Sequence, residues 1–477
     1  MSEEKVLLIF PPSSWGQKNR FAQPLGILML ATILKQEGID VTALDLSAEG
    51  WYPKKLANFI TRGFFTHVGV TILTRSRKIS YNILEMVKRI NPNITTLAGG
   101  PHVTQMKETI FSECSVIDIA VAGEAELNIV DIIRKPTKKF YDLNYIEDIK
   151  SLPIPDRSFI RHIKYNRLQN IWIGDSASMK WARGCSWRRC RFCSRPALDI
   201  NYRRRDPEEI IKEITIIQNE LKYKNIIIID DNFLIKSKYT KEILRLKIKE
   251  GLDIPFWVLT RADHIDEEGI SLMRRAGGVG IQIGLESVVP RIVDMYQKAS
   301  GDSHQWHQTL ARAFELADKY QIVIIASFIV GGPSESAKEI QATIDYCRTA
   351  KVDVVQPFPF RFAYGSELWR EAIQKGQLNQ GQYDTFNDKS YGTTVFSTEE
   401  LFKIALEAQH LINSPILNLK RYVRLGRKLF KQMSPLGYRN VIRLPLLLRN
   451  FNKVRYSNLE KNGTLQKFFE NPYKAPA

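Results

Sequence analysis

The 477-residue chain is poor in cysteine and histidine, with five of one and seven of the other. So few cysteines in a chain this long exclude a disulfide-framed secreted scaffold. No apolar run reaches the roughly 18–20 residues that a membrane-spanning helix needs. The opening MSEEKVLLIF puts acids before a short apolar stretch; that is unlike a secretory signal, and a cytoplasmic protein is expected. A G-x-G-x-x-G is missing after the first strand, so a dinucleotide site is not indicated there. No aromatic platform or other nucleic-acid-binding module is recognisable, and nucleic acid is not an expected partner. With 44% apolar and 25% charged residues, a largely disordered chain is also excluded. What the chain has in excess is positive charge, +18 net, which attracts phosphorylated cofactors or an acidic membrane surface.

The order of patterns suggests four regions: 1–135, a linker at 136–170, 171–395, and a helical region at 396–477. The first alternates strands with helices. Lys5–Phe10, Asp40–Asp45, His67–Ile72, Ile94–Ala98 and Ile117–Ala122 read as strands, and Leu25–Gln36 and Lys78–Ile90 as helices. That alternation predicts a doubly wound, Rossmann-like parallel sheet with its ligand site outside the strands' carboxyl ends. Pro136, Pro153 and Pro155 mark a linker crossing the surface. A second series has six strand patterns, at Met179–Ala182, Ile226–Ile229, Phe256–Thr260, Val279–Gly284, Val323–Val330 and Val352–Pro357. Helical patterns come after them. Six βα units suit an open, partial (βα)6 barrel.

Three of the five cysteines, Cys185, Cys190 and Cys193, fall within nine residues as C-x4-C-x2-C. Thiolates so close on one loop can converge on a metal centre. Zinc usually wants four closed ligands. Three thiolates suit a 4Fe–4S cluster with one iron left open; zinc or unliganded thiols are the alternatives. Arg183, Arg188, Arg189 and Arg191 would offset the charge of such a centre and lower the thiol pKa values.

The segment resembles the cluster loop of the radical S-adenosylmethionine superfamily. Phe192 fits the aromatic position before the last cysteine, and one extra residue separates the first two cysteines. Further stretches are similar to that superfamily's motifs. They are Asp230-Asp231-Asn232-Phe233, Gly284-Leu285-Glu286-Ser287, Gly331-Gly332-Pro333-Ser334-Glu335 and a weakened Tyr364-Gly365-Ser366-Glu367-Leu368. The resemblance implies Cys185, Cys190 and Cys193 as cluster ligands. It implies Phe192, Asp230, Asn232, Glu286, Ser287, Gly331 and Gly332 around bound S-adenosylmethionine, whose one-electron cleavage yields a 5′-deoxyadenosyl radical.

The first region resembles the cobalamin-binding domain that precedes many such enzymes. The resemblance rests on Pro11-Pro12, Gln23-Pro24-Leu25-Gly26, Val68-Gly69-Val70-Thr71, Gly99-Gly100-Pro101-His102 and Gly123-Glu124-Ala125-Glu126. It implies Pro12, Leu25, Gly26, Asp45, Ser47, Thr71, Thr74, Gly99, Gly100, Pro101, His102, Gly123 and Glu124 as cobalamin contacts. In Asp45-Leu46-Ser47-Ala48-Glu49-Gly50, serine stands where free-standing cobalamin domains place a cobalt-ligating histidine. His102 is expected at the cofactor rim rather than on cobalt.

Between Lys420 and Lys461 lie twelve lysines and arginines against one acid, Glu460. Such a stretch can lie on an anionic membrane surface, bind a partner, or simply cap the fold with a solvated basic face. Taken together, the resemblance implies a cobalamin-dependent enzyme that methylates an unactivated carbon of a small molecule or peptide. An electron donor such as flavodoxin or ferredoxin would serve it. Ring formation or rearrangement with the same cofactors, and a non-catalytic cobalamin or iron–sulfur sensor, are the rivals.

Overall fold

The computed structural model describes residues 4–168, 171–195, 201–414 and 418–432. Its chain divides into two compact units between Arg167 and Leu168.

The first unit is built on six strands: β1 (Lys5–Phe10), β2 (Asp40–Asp45), β3 (His67–Thr71), β4 (Thr95–Gly99), β5 (Ile119–Ala122) and β6 (Phe140–Asp142). They pair in parallel in the order β2-β1-β3-β4-β5-β6. Strand order reverses between β1 and β3, and ligands of open α/β sheets bind at the carboxyl ends beside such a switch. Helix Leu25–Gln36 turns Ile27, Leu28, Ala31 and Leu34 inward. They share one core with Val6, Leu8, Leu97 and Val121 of the sheet.

The second unit has β7 (Ser176–Met179), β8 (Asn225–Ile228), β9 (Phe256–Thr260), β10 (Gly278–Glu286), β11 (Val323–Val330) and β12 (Val354–Pro359). All pair in parallel and in strict chain order, which is the expected six-stranded barrel-like sheet. Successive strand residues point to opposite faces. Ala177, Ile226, Val258, Ile281, Ile324 and Val355 therefore join the helix-covered core. Leu259 and Phe358 point the other way and stay 38% and 51% exposed.

Three sequence readings shift. The stretch read as a surface linker contributes β6, and its Ile160, Ile163 and Tyr165 are buried in the first unit's core. Arg157 is 1% exposed and donates to Gln23 Oε1 at 3.2 Å. The first barrel strand lies at Ser176–Met179, three residues earlier than expected. Ala182–Arg183 instead pairs antiparallel with Arg203–Arg204. Helix Leu419–Gln432 turns three cations, Arg421, Arg424 and Lys428, inward. Arg421 donates to the carbonyls of Ile412 and Cys347. Arg424 and Lys428 each hold Asp353 at 2.9 Å. Lys428 and the Asp353 side chain are 0% exposed. This part of the basic stretch is thus a packed cap, and residues 433–477 lie outside the described residues. Among the described residues no helix is long and apolar enough to cross a membrane.

Candidate functional site

The cysteine loop leaves the carboxyl side of β7 and is tied down at each of its landmarks. Asp230, just beyond β8, accepts from the backbone N–H of Trp181 at 2.8 Å and of Ala182 at 3.3 Å. Its side chain is buried, and burial pushes its carboxyl up to about 7. Asn232 Nδ2 donates to Ser186 Oγ at 3.1 Å and lies 3.0 Å from His264 Nδ1. Trp187 donates to Gln297 O at 2.9 Å. Arg191 reaches Glu367 Oε1 at 2.6 Å and also pairs with Glu371. Phe192 packs edge-on against Tyr296 with centroids 5.1 Å apart. Asp230 and Asn232 thus reach the loop through its backbone and Ser186, not through the thiols.

Among the described residues, no three His, Cys, Asp or Glu side chains are gathered tightly enough to hold a single metal ion. The three thiols nevertheless share one loop and lie within each other's electrostatic reach. Thiolates of a 4Fe–4S cluster attach to separate irons, so an arrangement too open for one zinc ion still fits a cluster. Burial pushes the Cys190 thiol up, against a downward pull from Lys298 and Arg261. Cys193 is pushed up to about 12 by burial, partly offset by the backbone N–H of Arg195. The expectation that the loop's own four arginines would lower these values is corrected. Arg191 is occupied by glutamates, and Arg188 donates to Asn201 at 2.7 Å. The cations that act on Cys190 come from beyond the loop.

The nucleoside positions are closely packed. Glu286 sits at φ +63° where the β10–β11 register shifts, a conformation that glycine favours. It pairs with buried Lys298 at 2.9 Å. Ser287 is fully buried and lies 3.2 Å from Thr343 Oγ1, away from open space. The N–H groups of Gly331 and Gly332 both donate to Glu335 Oε2, at 2.8 and 2.9 Å. Burial pushes that carboxyl up to about 7. A Cβ on Gly332 would stand 2.1 Å from the Tyr296 hydroxyl.

In the first unit a cavity of about 240 Å³ opens at the carboxyl ends of β3, β4 and β5. Gly26, Thr71, Gly99, Gly100, Pro101, Gly123 and Glu124 line it, with Leu8, Ile27, Leu97 and Ile129 on its apolar wall. Gly100 takes φ +98° and its missing Cβ would meet Thr71 Cγ2 at 3.0 Å. Slim glycines around an apolar slot fit the nucleotide tail of a cobalamin. Pro12, Leu25, Asp45, Ser47, Thr74 and His102 do not line it.

The matches to known proteins fall along this division. Residues 179–347 match the radical SAM superfamily model and residues 20–133 match the B12 binding domain model. The chain belongs to the cobalamin-dependent radical S-adenosylmethionine enzymes. It is 29% identical over 440 residues to an uncharacterized methyltransferase of Pyrococcus horikoshii, covering 86% of this chain and 92% of that one. It is 26% identical over 434 residues to the anaerobic magnesium-protoporphyrin IX monomethyl ester cyclase of Rubrivivax gelatinosus, covering 84% and 73%. Its fold matches the radical S-adenosylmethionine methyltransferase TsrM of Kitasatospora setae, solved with cobalamin and a [4Fe-4S] cluster. The TM-score is 0.63 at 17% identity, over 78% of each chain. As a member of this family the chain uses a 4Fe–4S cluster, S-adenosylmethionine and cobalamin.

Within that family setting, several expected contacts stand elsewhere. His102, expected at the cofactor rim, is 0% exposed. Its Nδ1 lies 3.2 Å from Thr74 Oγ1 and its Nε2 lies 3.1 Å from Tyr81 OH. Both ring nitrogens face protein groups, because the helix that begins at Pro101 turns the ring toward Tyr81. Asp45 is 1% exposed, caps Ala48 N at 2.9 Å and accepts from Tyr165 at 2.7 Å. Burial pushes it up to about 7. Ser47 is buried inside the short helix that Asp45 caps. Sequence reasoning missed Arg261, Tyr296 and Lys298, and it gave no role to Glu335 although that residue closes a quoted motif. The position of Arg261, one residue past the third barrel strand, was a usable signal, because βα folds carry site residues at strand carboxyl ends. Lys298 carried no signal of its own.

Proposed function

We propose that this enzyme transfers a methyl group to an unactivated carbon of a small molecule or peptide. The observation that carries the reading is the union, in one chain, of a thiolate triplet at the carboxyl edge of an open parallel barrel with a glycine-lined cavity in a B12-type sheet. When bound, the cluster and S-adenosylmethionine supply a 5′-deoxyadenosyl radical and cobalamin supplies the methyl carrier. The chain's own residues do the rest. Cys185, Cys190 and Cys193 hold the cluster, and Asp230 and Asn232 hold their loop. Glu286, paired with Lys298, offers a carboxylate to ribose hydroxyls. Glu335 stiffens Gly331-Gly332 so that backbone there can lie against a flat base. Gly26, Gly99, Gly100 and Gly123 leave room for the cobalamin tail. An electron donor of flavodoxin or ferredoxin type would serve the cluster, and the enzyme works in the cytoplasm. One relative is named a cyclase, so ring closure with the same cofactors is the rival reading.

The test is anaerobic reconstitution of the full chain with cobalamin supplied. Four irons and about one cobalamin per chain are expected. The Cys185→Ala/Cys190→Ala/Cys193→Ala variant should lose the iron and keep the cobalamin. A wild-type chain that takes up zinc but no iron would overturn the reading.

A further inference from the structure

Arg261 lies outside every motif read from the sequence, yet it touches the cysteine loop. It directly succeeds β9 and is 5% exposed. Its Nη1 stands 4.0 Å from Cys190 Sγ, within reach of an N–H···S hydrogen bond. The guanidinium is fixed from three other sides. Asp263 accepts from Nε at 2.9 Å and from Nη2 at 2.7 Å. The carbonyl of Lys298 accepts from Nη2 at 2.5 Å. The Trp187 ring lies 4.2 Å from the guanidinium carbon. A planar fork can serve a carboxylate, a carbonyl and a sulfur at once, which a lysine cannot. The nearby Lys298 Nζ is itself spent on Glu286 at 2.9 Å.

We infer that Arg261 is a positioning residue that donates to the Cys190 thiolate and raises the reduction potential of the cluster held there. The inference rests on the proposed role of the loop as a cluster site. Reduction adds a negative charge to a centre already surrounded by thiolates. A buried cation and an N–H···S bond favour that added charge, and hydrogen bonds to cluster sulfurs are a known control of potential. Asp263 neutralises the guanidinium's far side, so the dipole of the pair presents its positive end to sulfur.

The test uses the full chain, reconstituted anaerobically, as wild type, Arg261→Gln and Arg261→Lys. Three quantities are read: iron content, the cluster midpoint potential by a redox titration monitored by electron paramagnetic resonance, and S-adenosylmethionine affinity. Arg261→Gln should keep its iron. Its reduction equilibrium should fall about tenfold, which is about 59 mV for a one-electron couple. Arg261→Lys should fall between it and wild type, and cofactor affinity should stay within about twofold. An unchanged midpoint in a fully loaded Arg261→Gln overturns the inference. An unchanged midpoint with lost affinity does so too, and makes Arg261 a ligand of S-adenosylmethionine. If Arg261→Gln loses iron, Arg261→Lys decides: a loaded cluster with a lowered midpoint supports the inference, and an unmoved one sinks it. Loss of iron from both variants overturns tuning in favour of a purely structural role. A wild-type chain that takes up no cluster would sink the underlying reading as well, whereas a loaded wild type with unmoved variants sinks this inference alone.

Discussion

Asp230 offers the sharpest link between fold and site. Its Oδ1 is the acceptor for two backbone N–H groups at the entrance to the cysteine loop, at 2.8 and 3.3 Å. Asp230→Ala strands both donors in a buried place. At about 1–3 kcal/mol for each stranded group, and less for the longer bond, the loss should be about 3 kcal/mol at pH 6, where the carboxyl is protonated. Asp230→Asn keeps an acceptor oxygen and discards the charge, so it should cost under about 1 kcal/mol at pH 6 and be no less stable than wild type at pH 8. The pH dependence has a definite sign. Burial moves this carboxyl from 3.8 to about 7, so between those values the folded chain holds a proton that the unfolded chain has released. The stability this group lends is complete below its unfolded value and is lost as pH rises through about 7, by as much as about 4 kcal/mol. Wild type should therefore resist urea better at pH 6 than at pH 8, and Asp230→Asn should show a flatter profile. Urea unfolding monitored by tryptophan fluorescence, with iron content measured in parallel, reads both effects. An Asp230→Ala variant that matches wild type in stability and iron at pH 6 would refute the claim that this carboxyl holds the loop.

Three further outcomes are expected. Lys428→Met leaves Asp353 buried with Arg424 as its remaining side-chain partner and should destabilise the chain by about 3 kcal/mol. The outward Lys420→Gln and Arg427→Gln should stay within about 0.5 kcal/mol of wild type in the same thermal or urea melts. Gly332→Ala should cost about 1–3 kcal/mol by driving a methyl into the Tyr296 hydroxyl, and Tyr296→Phe in the same chain should recover most of that loss. In the cobalt(II) form, the electron paramagnetic resonance spectrum should lack splitting from a lower-face nitrogen. His102→Ala should leave that spectrum unchanged; nitrogen splitting that vanishes in the variant would contradict the inward placement of this ring.

Much of the architecture was legible because strand and helix periods differ so plainly. Lys5–Phe10, Phe256–Thr260 and Val323–Val330 carry β-branched or aromatic runs, and these and Asp40–Asp45 each form a strand with the expected bounds. Helix Leu25–Gln36 is likewise as expected. β6 escaped notice because Phe140–Asp142 is three residues at a sheet edge behind Lys138 and Lys139, too short for any alternation to show. The inward turn of Arg421, Arg424 and Lys428 escaped notice for another reason. Their spacing of three and four is that of a helix face, but cations on such a face ordinarily read as solvated, and only Asp318 and Asp353, far off in sequence, reveal otherwise. The cysteine triplet was legible because three thiols within nine residues are rare by chance. Arg261 and Lys298 were not, because their chemistry comes from tertiary neighbours. His102 stood in a recognised glycine-rich stretch, but its burial depends on Tyr81 and Thr74, which no local pattern connects to it.

A cobalamin-dependent radical methyltransferase runs both a radical half-reaction and a methyl-carrier half-reaction in one chain. The direct measurement is mass spectrometry of the products formed from S-adenosylmethionine with a deuterated methyl group. It uses the anaerobically reconstituted, cobalamin-loaded chain under a strong reductant. Both 5′-deoxyadenosine and S-adenosylhomocysteine are expected. The Cys185→Ala/Cys190→Ala/Cys193→Ala variant should lose the first and keep the second. A loaded wild-type enzyme that forms 5′-deoxyadenosine but never S-adenosylhomocysteine would contradict methyl transfer and leave ring closure as the reading; one that forms neither would contradict the account as a whole.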